Sequence, residues 1–166
     1  MSGYVLDASV AVTALTEPSS PAAGLLADTD AVFQAPSIFD VEVISALRGL
    51  VRGGKYDRTA AGELIADLMI LPVERWHTSS LLPRIWELRE NLTPYDAAYV
   101  ALAEATGAIL VTGDERITAA PATRCEIRII KLPPPRTQPS RSNGLQGTAS
   151  RNHESCRPLL PHSESR

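Results

Sequence analysis

Short apolar runs alternate along this chain with longer stretches of helical spacing, and that alternation constrains the fold more than any other feature. The first run, Tyr4-Val5-Leu6, ends on Asp7, with a hydroxyl following at Ser9. Strands of a parallel sheet are covered on both faces and read as continuous apolar runs, so a carboxylate that closes one belongs at the rim. Residues 31–35 and 108–112 read as further strands, the first stopped by Pro36 and the second running out into Gly113-Asp114. The alternation predicts an α/β three-layer sandwich, a central and mainly parallel sheet flanked by helices. In such sheets ligands bind beyond the carboxyl ends of the strands, which makes Asp7 the first candidate for chemistry.

Between the strands the helical stretches have recognisable starts and stops. A helix is expected to begin near Val10, and a second covers residues 22–27. Ser37 followed by Asp40 has the form of a capping box, and Phe39, Val43, Ala46, Leu47 and Leu50 then recur at helical spacing until Gly53-Gly54. Asp57 or Thr59 opens another helix through Met69, with Leu64, Ile65, Leu68 and Met69 on its buried side. Ile70-Leu71-Pro72-Val73 reads as an edge strand because of its proline. Residues 78–91 read as helix, with Pro83 near the first turns. Thr93-Pro94-Tyr95-Asp96 is a second clear helix start, and Gly107 is its stop. A last strand is expected over residues 127–132.

The 166 residues suffice for one domain with a substantial core, expected over residues 1–132. Residues 133–166 change to Pro, Ser, Arg and Asn with little apolar clustering, the composition of a disordered tail. A formal charge of −3 gives no overall attraction to nucleic acid, so a polyanion needs a local basic rim or bound cations. Cys125 and Cys156 fit neither a disulfide framework nor a metal-ligand spacing, and no secretory signal or membrane span is read. A reduced, cytoplasmic setting is therefore expected.

Three further acids fall where strand and helix ends would bring them to the same rim. Asp114 follows a buried strand, Asp96 lies in the first turn of a helix, and Glu42 lies near the start of the helix after the second strand. Each has an ordinary explanation alone: a capping box with Thr93 for Asp96, a turn for Asp114, a snorkelling surface acid for Glu42. Gathered together, four carboxylates would repel unless cations sat among them, and hard oxygen donors are what Mg²⁺ or Mn²⁺ takes. Ser9 and Thr112, two residues from Asp7 and Asp114 and so on the same side of their strands as those acids, are expected to orient ligands or water. Arg116, two residues beyond Asp114, is the best basic candidate for a phosphate contact; Arg48 and Arg52 read as solvent-facing.

Val5-Leu6-Asp7-Ala8-Ser9, the helix Val41-Glu42-Val43-Ile44-Ser45-Ala46-Leu47, Thr93-Pro94-Tyr95-Asp96-Ala97-Ala98-Tyr99-Val100-Ala101-Leu102-Ala103 and Leu110-Val111-Thr112-Gly113-Asp114-Glu115-Arg116 together resemble the successive motifs of PIN domains. More narrowly they are similar to the VapC toxins of bacterial toxin–antitoxin pairs, over about residues 1–132. The resemblance implies an Mg²⁺- or Mn²⁺-dependent endoribonuclease with Asp7, Glu42, Asp96 and Asp114 around the metal. It also implies dimerisation and inhibition by a small VapB antitoxin. Ser45 stands where many relatives carry Asn, and the tail has no counterpart in the usual family member. A different class also uses such a fold: a non-catalytic module whose acidic pocket captures a basic partner segment. A phosphotransfer receiver would need a lysine after a late strand, and Lys131 lies inside the last one. The Walker-like spacing of Gly49 to Lys55 is followed by Tyr56 in place of the Ser or Thr that such a loop requires.

Overall fold

The structure, a computed structural model, describes residues 3–131. Five strands, β1 (Gly3–Leu6), β2 (Val32–Pro36), β3 (Val73–Trp76), β4 (Ile109–Thr112) and β5 (Ile127–Ile129), form one sheet in the order β3-β2-β1-β4-β5. Every pairing is parallel, so all five carboxyl ends share one edge. Between β1 and β2 lie α1 (Ala8–Thr16) and α2 (Pro21–Leu26); between β2 and β3 lie α3 (Phe39–Arg52) and α4 (Arg58–Ile70). A 3₁₀ turn (Ser79–Leu81), α5 (Leu82–Glu87) and α6 (Pro94–Thr106) lead to β4, and α7 (Glu115–Thr118) leads to β5. The chain moves one way across the sheet through β3 and returns past β1 to β4. Right-handed crossovers then put α1 to α4 on one face and α5 to α7 on the other. The reversal falls between β1 and β4, the switch point at which such sheets open a crevice.

The core is built where strand periodicity and helix stripes meet. Val5, Leu6, Leu110 and Val111 are fully buried in the two central strands, and each such side chain contributes about 1.5–3 kcal/mol by leaving water. α6 is buried at every position from Ala97 through Ala103, and its alanines let it lie close over the middle of the sheet. Gly107 ends it at φ 67°, a left-handed conformation that a side chain would strain. Tyr4 and Phe33 stack with ring centroids 5.9 Å apart, and the Arg128 guanidinium lies 5.2 Å from the Tyr4 ring centre.

Several local expectations are overturned by longer-range partners. Ser37 and Asp40 form no capping box: the N-cap position of α3 is Ile38, with no side-chain cap. The Ser37 amide instead donates to the Trp76 carbonyl, 2.8 Å away, prolonging the β2–β3 ladder. Asp40 pairs with Arg75 at 3.0 Å, and the same guanidinium donates to the carbonyls of Leu68 and Leu71 at the end of α4 and of Val73 at the start of β3. One half-buried arginine thus satisfies helix-end carbonyls and a carboxylate together, which a local cap cannot match.

The edge strand is real but displaced, beginning at Val73 after Pro72, while α4 continues through Ile70. Residues 78–91 hold a 3₁₀ turn and the short α5 in place of one helix. α1 begins at Ala8, before Val10, and α7 was not anticipated. β5 stops at Ile129, and residues 132–166, including the expected tail, lie outside the described residues. Ala46, Ile65 and Met69 are exposed, so the buried stripes of α3 and α4 are narrower than their spacing suggested. Ile65 lines a groove of about 380 Å³ between α3 and α4, floored also by Ile44, Leu47 and Val51.

A second arginine fastens the opposite side. Arg84 of α5 donates to both oxygens of Glu104 on α6, at 2.7 and 3.1 Å, and to the Ala122 carbonyl at 2.6 Å. Burial alone would raise the Glu104 pKa, but Arg84, with the Arg124 amide and charge, holds it below the usual carboxylate range. Because the folded value is depressed, the pair stabilises the protein above the unfolded-state value of about 4.3. That contribution disappears as pH falls through the folded value. Glu104→Gln is expected to cost about 1.5–3 kcal/mol near pH 7 and to narrow the gap to the parent protein as pH falls below 4, read by chemical denaturation across pH.

Candidate active site

Asp7 leaves the central strand in extended conformation, and its amide still donates to the Val111 carbonyl at 3.0 Å, continuing the β1–β4 ladder. Its carboxylate then caps α1, accepting from the Ser9 amide at 3.4 Å and the Ser9 hydroxyl at 2.7 Å. Thr112, fully buried at the end of β4, donates its hydroxyl to Asp7 Oδ2 at 2.5 Å. Thr112 Oγ1 accepts in turn from the Asp114 amide at 3.0 Å, and Ser9 Oγ accepts from the Gly113 amide at 3.3 Å. Two hydroxyls therefore stitch together the ends of the strands that flank the switch point. Both converge on one Asp7 oxygen, leaving Oδ1 with a single long contact.

Glu42 comes from the first turn of α3 and is half-buried. Tyr99 of α6 donates its hydroxyl to Glu42 Oε2 at 2.6 Å. Burial raises the Glu42 pKa; the Tyr99 hydrogen bond opposes this, while the charges of Asp7 and Asp96 add to the rise. Glu42 thus feels both neighbouring carboxylates across the crevice.

Asp96 sits beside the Thr93 N-cap expected of it: Thr93 Oγ1 accepts from the Asp96 amide at 3.2 Å and donates to Asp96 Oδ2 at 2.7 Å, a hydroxyl contact where a full capping box would use the backbone amide. The cap and the rim position coexist, because α6 runs back against the strand direction to reach the start of β4, which puts its first turn at the carboxyl edge of the sheet. Asp114 caps α7 through the Arg116 amide at 2.9 Å. The Arg116 side chain folds back onto it, with Nε at 2.9 and 3.0 Å from the two oxygens and Nη2 at 2.5 Å. This pairing draws the Asp114 pKa below the usual range. Arg116 is otherwise open to solvent, and the charge of Asp96 also acts on it.

All four acids expected at the rim are there, and electrostatics couples Glu42 to Asp7 and Asp96. They do not form the tight cluster expected of them. Among the described residues no three acidic, His or Cys side chains gather closely enough to enclose an ion. Asp114 is satisfied by Arg116, and Asp96 is tied to Thr93. Ser9 reaches Asp7 through helix capping and not, as expected, by lying on the same side of a strand. Tyr99 escaped the sequence reading altogether. Its one signal was a phenol placed three residues after Asp96, on the same helix face, within an otherwise apolar run.

Comparison with known proteins gives the same picture. The PIN domain family model matches residues 4–122. Ribonuclease VapC1 of Mycobacterium tuberculosis is 38% identical over 135 residues, a match covering 79% of this chain and 100% of that protein. Ribonuclease VapC9 of the same organism is 34% identical over 126 residues, covering 76% of this chain and 97% of that protein. Among solved structures, VapBC2 from Rickettsia felis bound to a DNA fragment from their promoter superposes with a TM-score of 0.58 at 17% identity, over 77% of this chain and 98% of that one, a likeness of fold. Sheet order, rim acids and family match agree, and the chain belongs to the PIN-domain family, within its VapC group.

Proposed function

We propose that this chain is the toxin of a toxin–antitoxin pair, an endoribonuclease that hydrolyses RNA phosphodiester bonds with Mg²⁺ or Mn²⁺. The observation that carries the reading is that Glu42, held by a hydroxyl of the helix that bears Asp96, faces the charges of Asp7 and Asp96 at the switch point, where Asp7 Oδ1 keeps only one long contact. The donor set fits a hard divalent cation, which binds carboxylate oxygens and keeps several waters, so an open array suits it better than a closed cage. Asp7, Glu42, Asp96 and Asp114 would hold the ion. Bound there, it supplies the Lewis acidity that phosphodiester hydrolysis near neutral pH requires.

The protein's own groups have separate tasks. Ser9 and Thr112 fix the rotamer of Asp7, and Tyr99 fixes that of Glu42. Arg116, exposed and hinged beside Asp114, is placed to transfer its guanidinium from that carboxylate to a phosphate oxygen of the substrate. Family resemblance gives a 5′-phosphate and a 3′-hydroxyl as products. A homodimer in the cytoplasm belongs to the same reading; no helix among the described residues is long and apolar enough to cross a membrane.

The antitoxin is proposed to be a small VapB-like protein seated in the groove between α3 and α4. Arg48, Arg52 and Arg58 rim that apolar groove, and none has an ion-pair partner among the described residues. An acidic amphipathic helix would match both its floor and its rim. The pairing of Arg116 with Asp114 favours a second reading, in which the acidic rim captures a basic segment of a partner without turnover.

Incubation with total RNA separates the two readings. The nuclease yields fragments with Mn²⁺ that EDTA suppresses, and a capture module yields none. Asp7→Asn is expected to abolish the fragments while leaving the melting temperature equal or higher, since it removes one member of a repelling set; undiminished cleavage by the purified variant would sink the mechanism. Ile65→Asp is expected to weaken antitoxin binding at least 10-fold by calorimetry, through the cost of a charge in an apolar groove, with RNA cleavage unchanged.

A further inference from the structure

We infer that Tyr99 is a positioning residue for Glu42, its hydroxyl holding the carboxylate in the orientation that binds the divalent cation. The inference rests on the nuclease reading and deepens it. Tyr99 is 2% exposed, within a run of α6 that is otherwise alanine, valine and leucine. Packing alone would be served by phenylalanine; a buried phenol needs a partner, and losing one costs more than never having had it. The partner is a carboxylate from a helix on the opposite face of the sheet, accepting at 2.6 Å. The Ala8 amide faces the same hydroxyl, so the phenol also touches the β1–α1 junction that carries Asp7.

Three elements of separate origin in the chain therefore meet at one oxygen: α6, which bears Asp96; α3, which bears Glu42; and the turn after Asp7. Tyr99 lies three residues beyond Asp96 and so one helical turn beneath it. A flexible Glu42 would swing away from the repulsion of Asp7 and Asp96. The hydroxyl holds Oε2 and restricts the rotation of the carboxylate, as the outer partners of metal-binding carboxylates do.

The test uses the full chain and Mn²⁺ alone as the probe. Tyr99→Phe is expected to lower Mn²⁺ affinity, measured by calorimetry, about 10-fold or more, the usual effect of removing such an outer partner. It should lower kcat for RNA cleavage with little change in KM. Glu104→Gln, remote from the rim, should lower the melting temperature without moving Mn²⁺ affinity, separating positioning from general stability. In a Glu42→Gln background, Tyr99→Phe should add no further loss of Mn²⁺ affinity, because the phenol acts through that carboxylate. Wild-type Mn²⁺ affinity in Tyr99→Phe, or full additivity in the double variant, would overturn the inference alone. Absence of Mn²⁺ binding by the unaltered protein would overturn the nuclease reading and this inference with it.

Discussion

The pairing of β1 with β4 across the switch point is the constraint from which the rest of the site follows. There, in the middle of the sheet, two neighbouring strands send their following helices to opposite faces, and the rim opens into a crevice. The Thr112 hydroxyl closes the floor of that crevice by donating to Asp7, and the Asp7 amide continues the ladder to Val111. A buried threonine with both a donor and an acceptor role satisfied costs little. It lets a carboxylate sit at the margin of the core without being stranded there.

Around that floor the protein holds acids by single-sided contacts. Hydroxyls hold one oxygen each of Asp7, Glu42 and Asp96, and the other Asp7 oxygen keeps only the long contact with the Ser9 amide. Hydroxyls orient a carboxylate without neutralising it, so the negative potential of the rim survives. Asp114 is the exception, because a guanidinium covers both of its oxygens. Arg116 thus brings an exposed positive charge, two residues from its partner, to these acids.

Much of this was legible in the residues, for identifiable reasons. Asp7 could be placed because an acid that closes an apolar run has few places to go, and Asp96 because Thr93-Pro94 marks a helix start by local chemistry alone. Thr112 followed from the alternation of side chains along a strand. Ser9 was rightly linked to Asp7 for the wrong reason, since the two are joined by helix capping. Tyr99 was missed because its partner is 57 residues away, and an aromatic in an apolar run gives no sign that its hydroxyl is needed. The Ser37–Asp40 box failed for a similar reason, as Arg75 offered Asp40 a charged partner that a local cap could not equal.

By itself the order of residues determined where most strands and helices fall, that the sheet is mainly parallel, and that acids close two of its strands. Those are matters of local sterics, hydrogen bonding and apolar periodicity, which act over a few residues. The sequence did not determine that Glu42 would meet Tyr99, that Arg116 would cover Asp114, or that four carboxylates would share a rim without closing into a cage. Those outcomes depend on how helices from opposite faces of the sheet lean over its edge. That angle is set by the packing of the whole core, and no short stretch of chain encodes it.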